Sequence, residues 1–364
     1  MPKTFKHLYP QVCAYENLYW AYRAARKNGK RGKANVAAFE YHLEMELHQL
    51  QNELVAKTYQ PGRYRHFYIY ERKRRKISAA PFRDRVVHHA LCNIIEPVFE
   101  ARFIHDSYAC RVGKGTHRAI ERAQMFARQH PYALQCDVAQ FFPSIDHAIL
   151  RDCLARYIAD EDALWLIDRI IASGAGMLAD EYTMRYFPGD DLFAVNRPRG
   201  LPIGNLTSQF WANVYLNELD YFVKHQLHCV AYVRYADDFV LFGDNKPQLH
   251  AWRAEIIAFL KTLRLQLHED RASVFATRGG FTFLGFRLFP CYRRLRRDNA
   301  RAFGCRLRAM SAAYAAGEVT LDENRERITS WIAHASFGNT YQLRRRIFRA
   351  VTFEHSSRTA LDAR

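Results

Sequence analysis

The chain lacks the segments that would take it to or through a membrane. No apolar run approaches the ~20 residues needed to span a bilayer. The first residues, Met1 to Pro10, contain no apolar core of a secretory signal, and there is no lipidation motif. The 8 cysteines form no CxxC pair, so neither a zinc ribbon nor a disulfide framework is indicated. We expect a cytoplasmic protein with free thiols and no membrane partner.

Negative charge is also scarce. The 364 residues contain 54 Lys and Arg against 37 Asp and Glu, a formal net charge of +17. Such a surplus favours a polyanionic partner, above all nucleic acid. Between Arg293 and Arg349 there is no lysine at all, and aromatic residues are interspersed among the arginines. This pattern suits an A-form duplex held through its phosphates and minor groove.

Hydrophobic residues make up 49% of the chain, enough for a sizeable core and too many for a disordered protein. Residues 14–57 follow helical spacing, interrupted by the basic segment Lys27–Lys33. Aromatic and β-branched residues at 64–70 predict a strand, and a basic loop over 71–76 precedes a second strand. We predict further helices over 82–99 (closed by Glu96-Pro97), 147–172, 206–226 and 252–265. We predict further strands over 132–138, within 229–242 and over 281–289, and a helical chain beyond Pro290.

Paired aspartates at a strand turn are the strongest local signal. Tyr235-Ala236-Asp237-Asp238 lies between two strand-like runs, and Asp137 ends another short apolar strand. Like charges this close raise each other's pKa, a cost that a divalent cation reverses. Three carboxylates from neighbouring strands suit two Mg²⁺ ions about 4 Å apart and in-line phosphoryl transfer. An Asp-Asp turn is also a common hairpin loop without function.

These segments together resemble a family. Tyr235-Ala236-Asp237-Asp238 resembles the YxDD box of reverse transcriptases, and Asp137 with Phe142 is similar to their first palm motif. The remaining segments follow the same order from about residue 60 to 290. The resemblance implies an α+β right-hand polymerase, with fingers and palm of antiparallel sheet and helices and an all-helical thumb. The expected domains are a helical extension (1–60), fingers and palm (61–285) and a basic thumb (286–364).

The resemblance also implies a role for individual residues. Asp137, Asp237 and Asp238 would be the catalytic metal ligands for two Mg²⁺ ions, with Mn²⁺ as a substitute and the Val138 carbonyl helping. The residues implied at the nucleotide are Lys73, Arg75, Arg85, Arg111, Phe142, Ile203, Gly204 and Gln209. Phe142 would be the steric gate, and Arg85 and Arg111 have a second interpretation as fold-stabilising ion-pair partners. The residues implied at primer and template are Tyr235, Ala236, Phe283, Leu284 and Gly285.

Further motifs indicate a subfamily. Ile203-Gly204-Asn205-Leu206-Thr207-Ser208-Gln209 resembles the IGxxTSQ box of reverse transcriptases from diversity-generating retroelements. Group II intron enzymes usually carry QGxxxSP here, so Ile203 and Gln209 depart from them. The resemblance implies copying of a dedicated template RNA into cDNA, with errors at template adenines. It implies as partners the RNA–cDNA duplex, dNTPs and a small basic oligomeric accessory protein.

Two other functions stay open. One is an anti-phage defence or group II intron-like reverse transcriptase. The other is a non-catalytic RNA-binding scaffold, against which the three aspartates argue because a scaffold has no use for crowded carboxylates. Arg271 occupies a place where many relatives of the resembled family have a lysine that protonates pyrophosphate, and an arginine is a poor acid.

Overall fold

The computed structural model describes residues 3–27, 32–70 and 74–354. Its α-helices are α1 (Tyr9–Cys13), α2 (Tyr15–Ala25), α3 (Ala34–Tyr41), α4 (Leu43–Val55), α5 (Phe82–Glu100), α6 (Thr116–Gln129), α7 (Phe141–Ser144), α8 (His147–Ala155), α9 (Glu161–Ser173), α10 (Leu206–Tyr221), α11 (Lys246–Thr262), α12 (Arg297–Ala315), α13 (Leu321–Ser336) and α14 (Tyr341–Arg349). Its strands are β1 (Arg65–Tyr70), β2 (Arg74–Ala79), β3 (Tyr132–Asp137), β4 (Tyr232–Tyr235), β5 (Asp238–Gly243), β6 (Ser273–Ala276), β7 (Phe281–Phe283), β8 (Phe286–Leu288) and β9 (Arg293–Leu295).

The strands of the described residues form three sheets. β1 and β2 form an antiparallel ribbon in which Tyr70 lies opposite Arg74. A four-stranded sheet has the order β4-β5-β3-β6, and its β4–β5 pair is antiparallel. A third sheet has the order β7-β8-β9 with both pairs antiparallel. Mixed helices and antiparallel sheets confirm the α+β prediction.

The chain divides into two compact units. The first comprises Met1–Gly115, Leu134–Leu241 and Pro247–Ser273. Within it, α2 buries Leu18, Ala21 and Tyr22 on one face, at the spacing of a helix packed on one side. That face packs on α5, where the ring of Tyr22 meets the edge of Phe82 at a centroid distance of 6.2 Å.

The second unit comprises Thr116–Ala133, Phe242–Lys246 and Val274–Arg364. Its core includes Phe303 on α12 and Trp331 on α13, which are buried and stack with ring centroids 3.7 Å apart. A capping box formed by Thr320 and Glu323 begins α13, since each side chain accepts a hydrogen bond from the other residue's backbone N–H. The arginines of this tail are therefore carried on helices that have their own aromatic core.

Several predicted boundaries are wrong for local reasons. The single helix over 147–172 is two helices, because the Asp160 carboxylate accepts from the backbone N–H groups of Asp162 and Ala163 and begins α9 there. The predicted strand over 281–289 is the β7–β8 hairpin, turned at Leu284 and Gly285, which both have positive φ. The chain beyond Pro290 contains β9 before its helices begin.

Two helices extend beyond their predicted boundaries. The helix predicted to close at Glu96-Pro97 runs through Pro97 and ends at Glu100. Val98 and Phe99 beyond it are buried, so tertiary packing outweighs the helix-breaking effect of proline. Helix α11 begins at Lys246, ahead of the predicted Trp252. Within the described ranges, no helix combines the length and the apolar character that crossing a bilayer requires.

Candidate active site

The tip of the β4–β5 hairpin carries two of the three aspartates. Tyr235 pairs with Asp238, so Ala236 and Asp237 form the turn between the strands. Ala236 has φ +54°, a left-handed conformation that is uncommon for a residue with a side chain. Tyr235, Ala236, Asp237 and Asp238 are each partly exposed, whereas the flanking strand residues are buried. The hairpin thus presents this turn at the edge of a buried sheet.

The third aspartate reaches the same place from strand β3. Asp137 ends β3, which lies beside β5 in the sheet. The backbone N–H of Val138 donates to the carbonyl of Asp237 at 3.3 Å, which fastens the end of β3 to the turn. On the other side, the N–H of His268 donates to the carbonyl of Asp137 at 2.8 Å. The tertiary structure therefore brings Asp137, Asp237 and Asp238 together, as expected.

Burial and neighbouring charge both act on the two aspartates of the turn. Burial, together with the charge of Asp137, raises the pKa of Asp237 to about 6. Burial and the charges of Asp137 and Asp237 raise the pKa of Asp238 to about 7. Arg75, Arg234 and Arg271 oppose these shifts but do not cancel them. Both carboxyl groups therefore bind protons more readily than an exposed aspartate does.

This donor set fits a hard divalent cation, because all three side chains offer carboxylate oxygens. Within the described ranges, no three His, Cys, Asp or Glu side chains are yet grouped as a metal site. Oδ2 of Asp137 accepts a hydrogen bond from Nη1 of Arg271 at 3.0 Å. An incoming cation would have to displace that guanidinium from Asp137.

The basic residues expected at the nucleotide lie in different settings. Arg75 on β2 is close enough to lower the pKa of Asp237. Lys73 lies outside the described residues. Arg85 on α5 has its guanidinium 5.3 Å from the ring centre of Phe82, and burial lowers its pKa.

Arg111 forms a fold-stabilising ion pair, which was the alternative to nucleotide binding in the sequence analysis. Its Nε and Nη2 donate to the carboxylate of Glu100 at 2.7–3.0 Å. Its Nη1 donates to the carbonyls of Ile104 and Ser107 at 2.7 and 2.8 Å. All three nitrogens of this guanidinium are thereby engaged by protein acceptors, so the geometry here is that of a fold-stabilising residue.

The expected steric gate lies directly after the Asp137 loop. Phe142 is in the short helix α7, and its ring is partly exposed. The N–H of Leu201 donates to the carbonyl of Phe142 at 3.0 Å and fixes its backbone. Gln140 precedes it with φ +47°, and its side-chain amide bonds to the backbone of Glu181 and Thr183. The position of Phe142 is therefore set from both sides.

The Ile203–Gln209 box lies against the β1–β2 ribbon. The N–H of Ser78 on β2 donates to the carbonyl of Ile203 at 2.9 Å. Gly204 has φ +112°, and a Cβ there would come within 2.8 Å of Ile77 Cγ2, so only glycine fits. Gln209 is exposed in the first turns of α10. The box is thus attached to the basic ribbon through backbone contacts.

Two buried residues were given no role by the sequence analysis. Asn205 is buried, and its amide donates to the carbonyl of Ser78 at 2.8 Å and accepts from the N–H of Ala80 at 3.1 Å. Arg234 is fully buried beneath the aspartate turn. The available signal for Arg234 was a single charged residue directly after the apolar run 230–233.

The residues expected at the primer occupy both compact units. Tyr235 and Ala236 belong to the aspartate hairpin in the first unit. Phe283, Leu284 and Gly285 form the β7–β8 turn in the second unit, where Phe283 is buried. Their role at a primer stays a prediction.

Comparison with known proteins places the chain in a family. A model described as reverse transcriptase (RNA-dependent DNA polymerase) matches residues 67–288, more than half of the chain. The matched range contains the three aspartates, the ribbon β1–β2 and the Ile203–Gln209 box. The chain therefore belongs to the reverse transcriptase family, and the enzyme class is RNA-directed DNA polymerase.

Individual curated proteins are similar to parts of this chain. Protein YkfC of Escherichia coli strain K12 is 27% identical over 294 residues, which cover 70% of this chain and 74% of YkfC. Group II intron-encoded protein LtrA of Lactococcus lactis subsp. cremoris is 27% identical over 214 residues, 58% of this chain and 33% of LtrA. Nuclear intron maturase 1, mitochondrial, of Arabidopsis thaliana is 33% identical over 87 residues, 24% of this chain and 12% of that protein. This chain matches only a minor part of the two intron proteins.

Proposed function

We propose that this protein copies a template RNA into cDNA by two-metal nucleotidyl transfer at Asp137, Asp237 and Asp238. The observation that carries the proposal is that strand β3 ends with Asp137 beside the Asp237–Asp238 turn, to which the N–H of Val138 is hydrogen-bonded. The pKa of Asp237 is raised to about 6 and that of Asp238 to about 7. Uncompensated carboxylates are costly, and bound cations make them favourable. The reverse transcriptase family supplies the matching reaction class.

The three aspartates and the Val138 carbonyl would hold two Mg²⁺ ions, with Mn²⁺ as a substitute. When bound, these ions lower the pKa of the attacking 3′-hydroxyl and stabilise the leaving pyrophosphate. Arg75 and Lys73 are assigned to the triphosphate, whose charge they would neutralise. Phe142 is assigned to the sugar, where its ring leaves no room for a 2′-hydroxyl.

Ile203, Gly204 and Gln209 support a role in targeted diversification. Their box resembles that of the diversity-generating retroelement enzymes, and the aliphatic Ile203 offers no side-chain hydrogen bond to a base. Fewer polar contacts lower the discrimination between correct and wrong nucleotides. We therefore propose error-prone copying of a dedicated RNA at template adenines, with the cDNA replacing part of a target gene. A small basic oligomeric accessory protein is the proposed partner.

A second candidate function is that of a group II intron-like reverse transcriptase. The similarity to LtrA over 58% of the chain favours it. Ile203 and Gln209 separate this chain from the QGxxxSP pattern of intron enzymes.

The deciding experiment is cDNA synthesis on the RNA encoded beside the gene, with the adjacent accessory protein, Mg²⁺ and dNTPs. Deep sequencing of the products gives the error spectrum. Asp237→Ala is the inactive control, and Arg151→Gln, which removes an exposed ion pair with Asp168, is the matched control that keeps activity. Errors concentrated opposite template adenines support the diversifying function. Faithful cDNA supports the intron-like function, and absence of cDNA under every priming condition contradicts both.

A further inference from the structure

A single arginine lies fully buried directly beneath the aspartate turn. Arg234 lies within strand β4 and is shielded from solvent. Its side chain and that of Asp220 on α10 both have 0% exposure. Nε donates to Oδ1 of Asp220 at 2.7 Å, and Nη2 donates to Oδ2 at 2.6 Å. This paired geometry neutralises the charge and fixes the plane of the guanidinium.

Neighbouring groups hold the same pair from other directions. The hydroxyl of Tyr232 donates to Oδ1 of Asp220 at 2.8 Å. The backbone of Arg234 donates to the carbonyl of Asp106 and accepts from the N–H of Tyr108, both at 2.9 Å. Helix α10, strand β4 and the 106–108 segment therefore meet at this one residue. The guanidinium has no room to reorient without breaking several buried hydrogen bonds.

The third nitrogen of the guanidinium points to the catalytic turn. Nη1 donates to Oδ1 of Asn213 on α10 at 3.1 Å and to the carbonyl of Ala236 at 3.1 Å. Asn213 is itself fixed, since its amide donates to the carbonyl of Ala109 at 2.8 Å. Ala236 is the residue with φ +54°, directly before Asp237. A fixed donor thus stabilises a turn conformation that its own sequence disfavours.

We propose that Arg234 is a positioning residue for reverse transcription: it holds the Ala236 carbonyl, and through it orients Asp237 and Asp238. The inference rests on the proposed function of those aspartates. Stability alone is a weak reason for such a pair, because a well-packed apolar pair is often as stabilising as a buried ion pair. The hydrogen bond to Ala236 is what an apolar replacement would lose.

Three variants separate positioning from folding. Arg234→Lys keeps the charge opposite Asp220 but loses the planar fork that reaches Asp220 and Ala236 together. Asp220→Leu with Arg234→Met removes the buried charges and the hydrogen bond to the turn. Arg156→Met is the matched control, because Arg156 pairs with Glu218, which lies on the same helix α10 two residues before Asp220.

The readouts are folding by circular dichroism, Mn²⁺ binding by electron paramagnetic resonance, and kcat and KM for a single dNTP addition. We expect folded Arg234 variants whose Mn²⁺ binding is weakened and whose kcat falls about 10- to 100-fold with little change in KM, since small misplacements have this effect. Adding Ala236→Gly to Arg234→Lys should recover part of kcat, because glycine adopts positive φ without strain. Arg156→Met should behave as wild type.

Three outcomes would overturn the inference. One is folded Arg234 variants with wild-type kcat and Mn²⁺ binding. Another is a loss of activity matched by an equal loss of folded protein, without recovery by Ala236→Gly. The last is that neither Arg234 variant folds, which would make the residue structural. If wild type binds Mn²⁺ but extends no primer, the proposed function fails, and the Mn²⁺ comparison still decides the role of Arg234.

Discussion

Nη1 of Arg271 lies 3.0 Å from Oδ2 of Asp137 and donates a hydrogen bond to it. The arginine thus occupies an oxygen that a divalent cation would take. Its charge also opposes the rise in the pKa of Asp238 that burial, Asp137 and Asp237 cause. With the proposed metal ligands, Arg271 would therefore compete with a bound cation and partly replace its charge.

Replacing Arg271 with glutamine should therefore tighten Mn²⁺ binding. The side chain of Arg271 is 50% exposed, so solvent screens the pair and the expected gain in affinity is about 2- to 5-fold. Electron paramagnetic resonance of free Mn²⁺ measures it at pH 8. Arg151→Gln, which breaks the exposed Arg151–Asp168 pair, should leave the affinity unchanged. Weaker binding by Arg271→Gln would show that the arginine supports the cation instead of competing with it.

Without a divalent cation, the protein should become less stable as pH rises. The folded-state pKa values of Asp237, about 6, and Asp238, about 7, lie above the ordinary value of 3.8. The folded state therefore binds more protons, so stability from these groups is present near pH 4 and is lost as pH rises to about 7. Urea unfolding in EDTA should show wild type losing at least about 1 kcal/mol more than Asp238→Asn between pH 5 and pH 8.

Added Mg²⁺ should reverse this loss at pH 8 and have little effect at pH 5, because the cation binds the ionised carboxylates. An Asp238→Asn variant with the same pH dependence as wild type would contradict the assignment.

Phe142→Ala should weaken discrimination against ribonucleotides. The backbone of Phe142 is fixed by Leu201, so removal of the ring opens space at a defined position. We expect the ratio of kcat/KM for dNTP over rNTP to fall about 10- to 100-fold, the range that steric contacts of this size supply. Phe142→Tyr keeps the ring and should keep the ratio. Equal loss of activity with both nucleotides, without a change in the ratio, would mean that the ring packs the core only.

Asn205→Ala should destabilise the protein. The substitution leaves the Ala80 N–H and the Ser78 carbonyl without their buried partner. Each unsatisfied buried group costs about 1–3 kcal/mol, so we expect a loss of roughly 2 kcal/mol or more in urea unfolding. Asn196→Ala, at an exposed position, is the control and should change stability by less than about 0.5 kcal/mol. A loss below 1 kcal/mol would show that water replaces the amide.

The sequence predicted the aspartate hairpin because its signals are local. A polar pair between two apolar strands at 230–242 can form only a turn, and the observed β4 and β5 lie there. The helix over 147–172 was wrong because Asp160 acts as a cap, a role that depends on the backbone conformation at that residue. The β7–β8 turn was missed because Leu284 has a positive φ, and a leucine in the sequence does not predict that conformation.

By itself, the sequence determined the basic character and the α+β class and singled out three aspartates as candidate metal ligands, since charge, periodicity and motif are properties of the chain. Only the tertiary structure decided which acceptor each arginine binds. Arg271 donates to the carboxylate of Asp137, and Arg111 donates to that of Glu100. Arg234 donates to the carbonyl of Ala236. These contacts join residues on separate elements, and their partners depend on how strands and helices pack. An arginine guanidinium is chemically the same at every position of the chain. Its role depends on the acceptors and charges that the folded structure places around it.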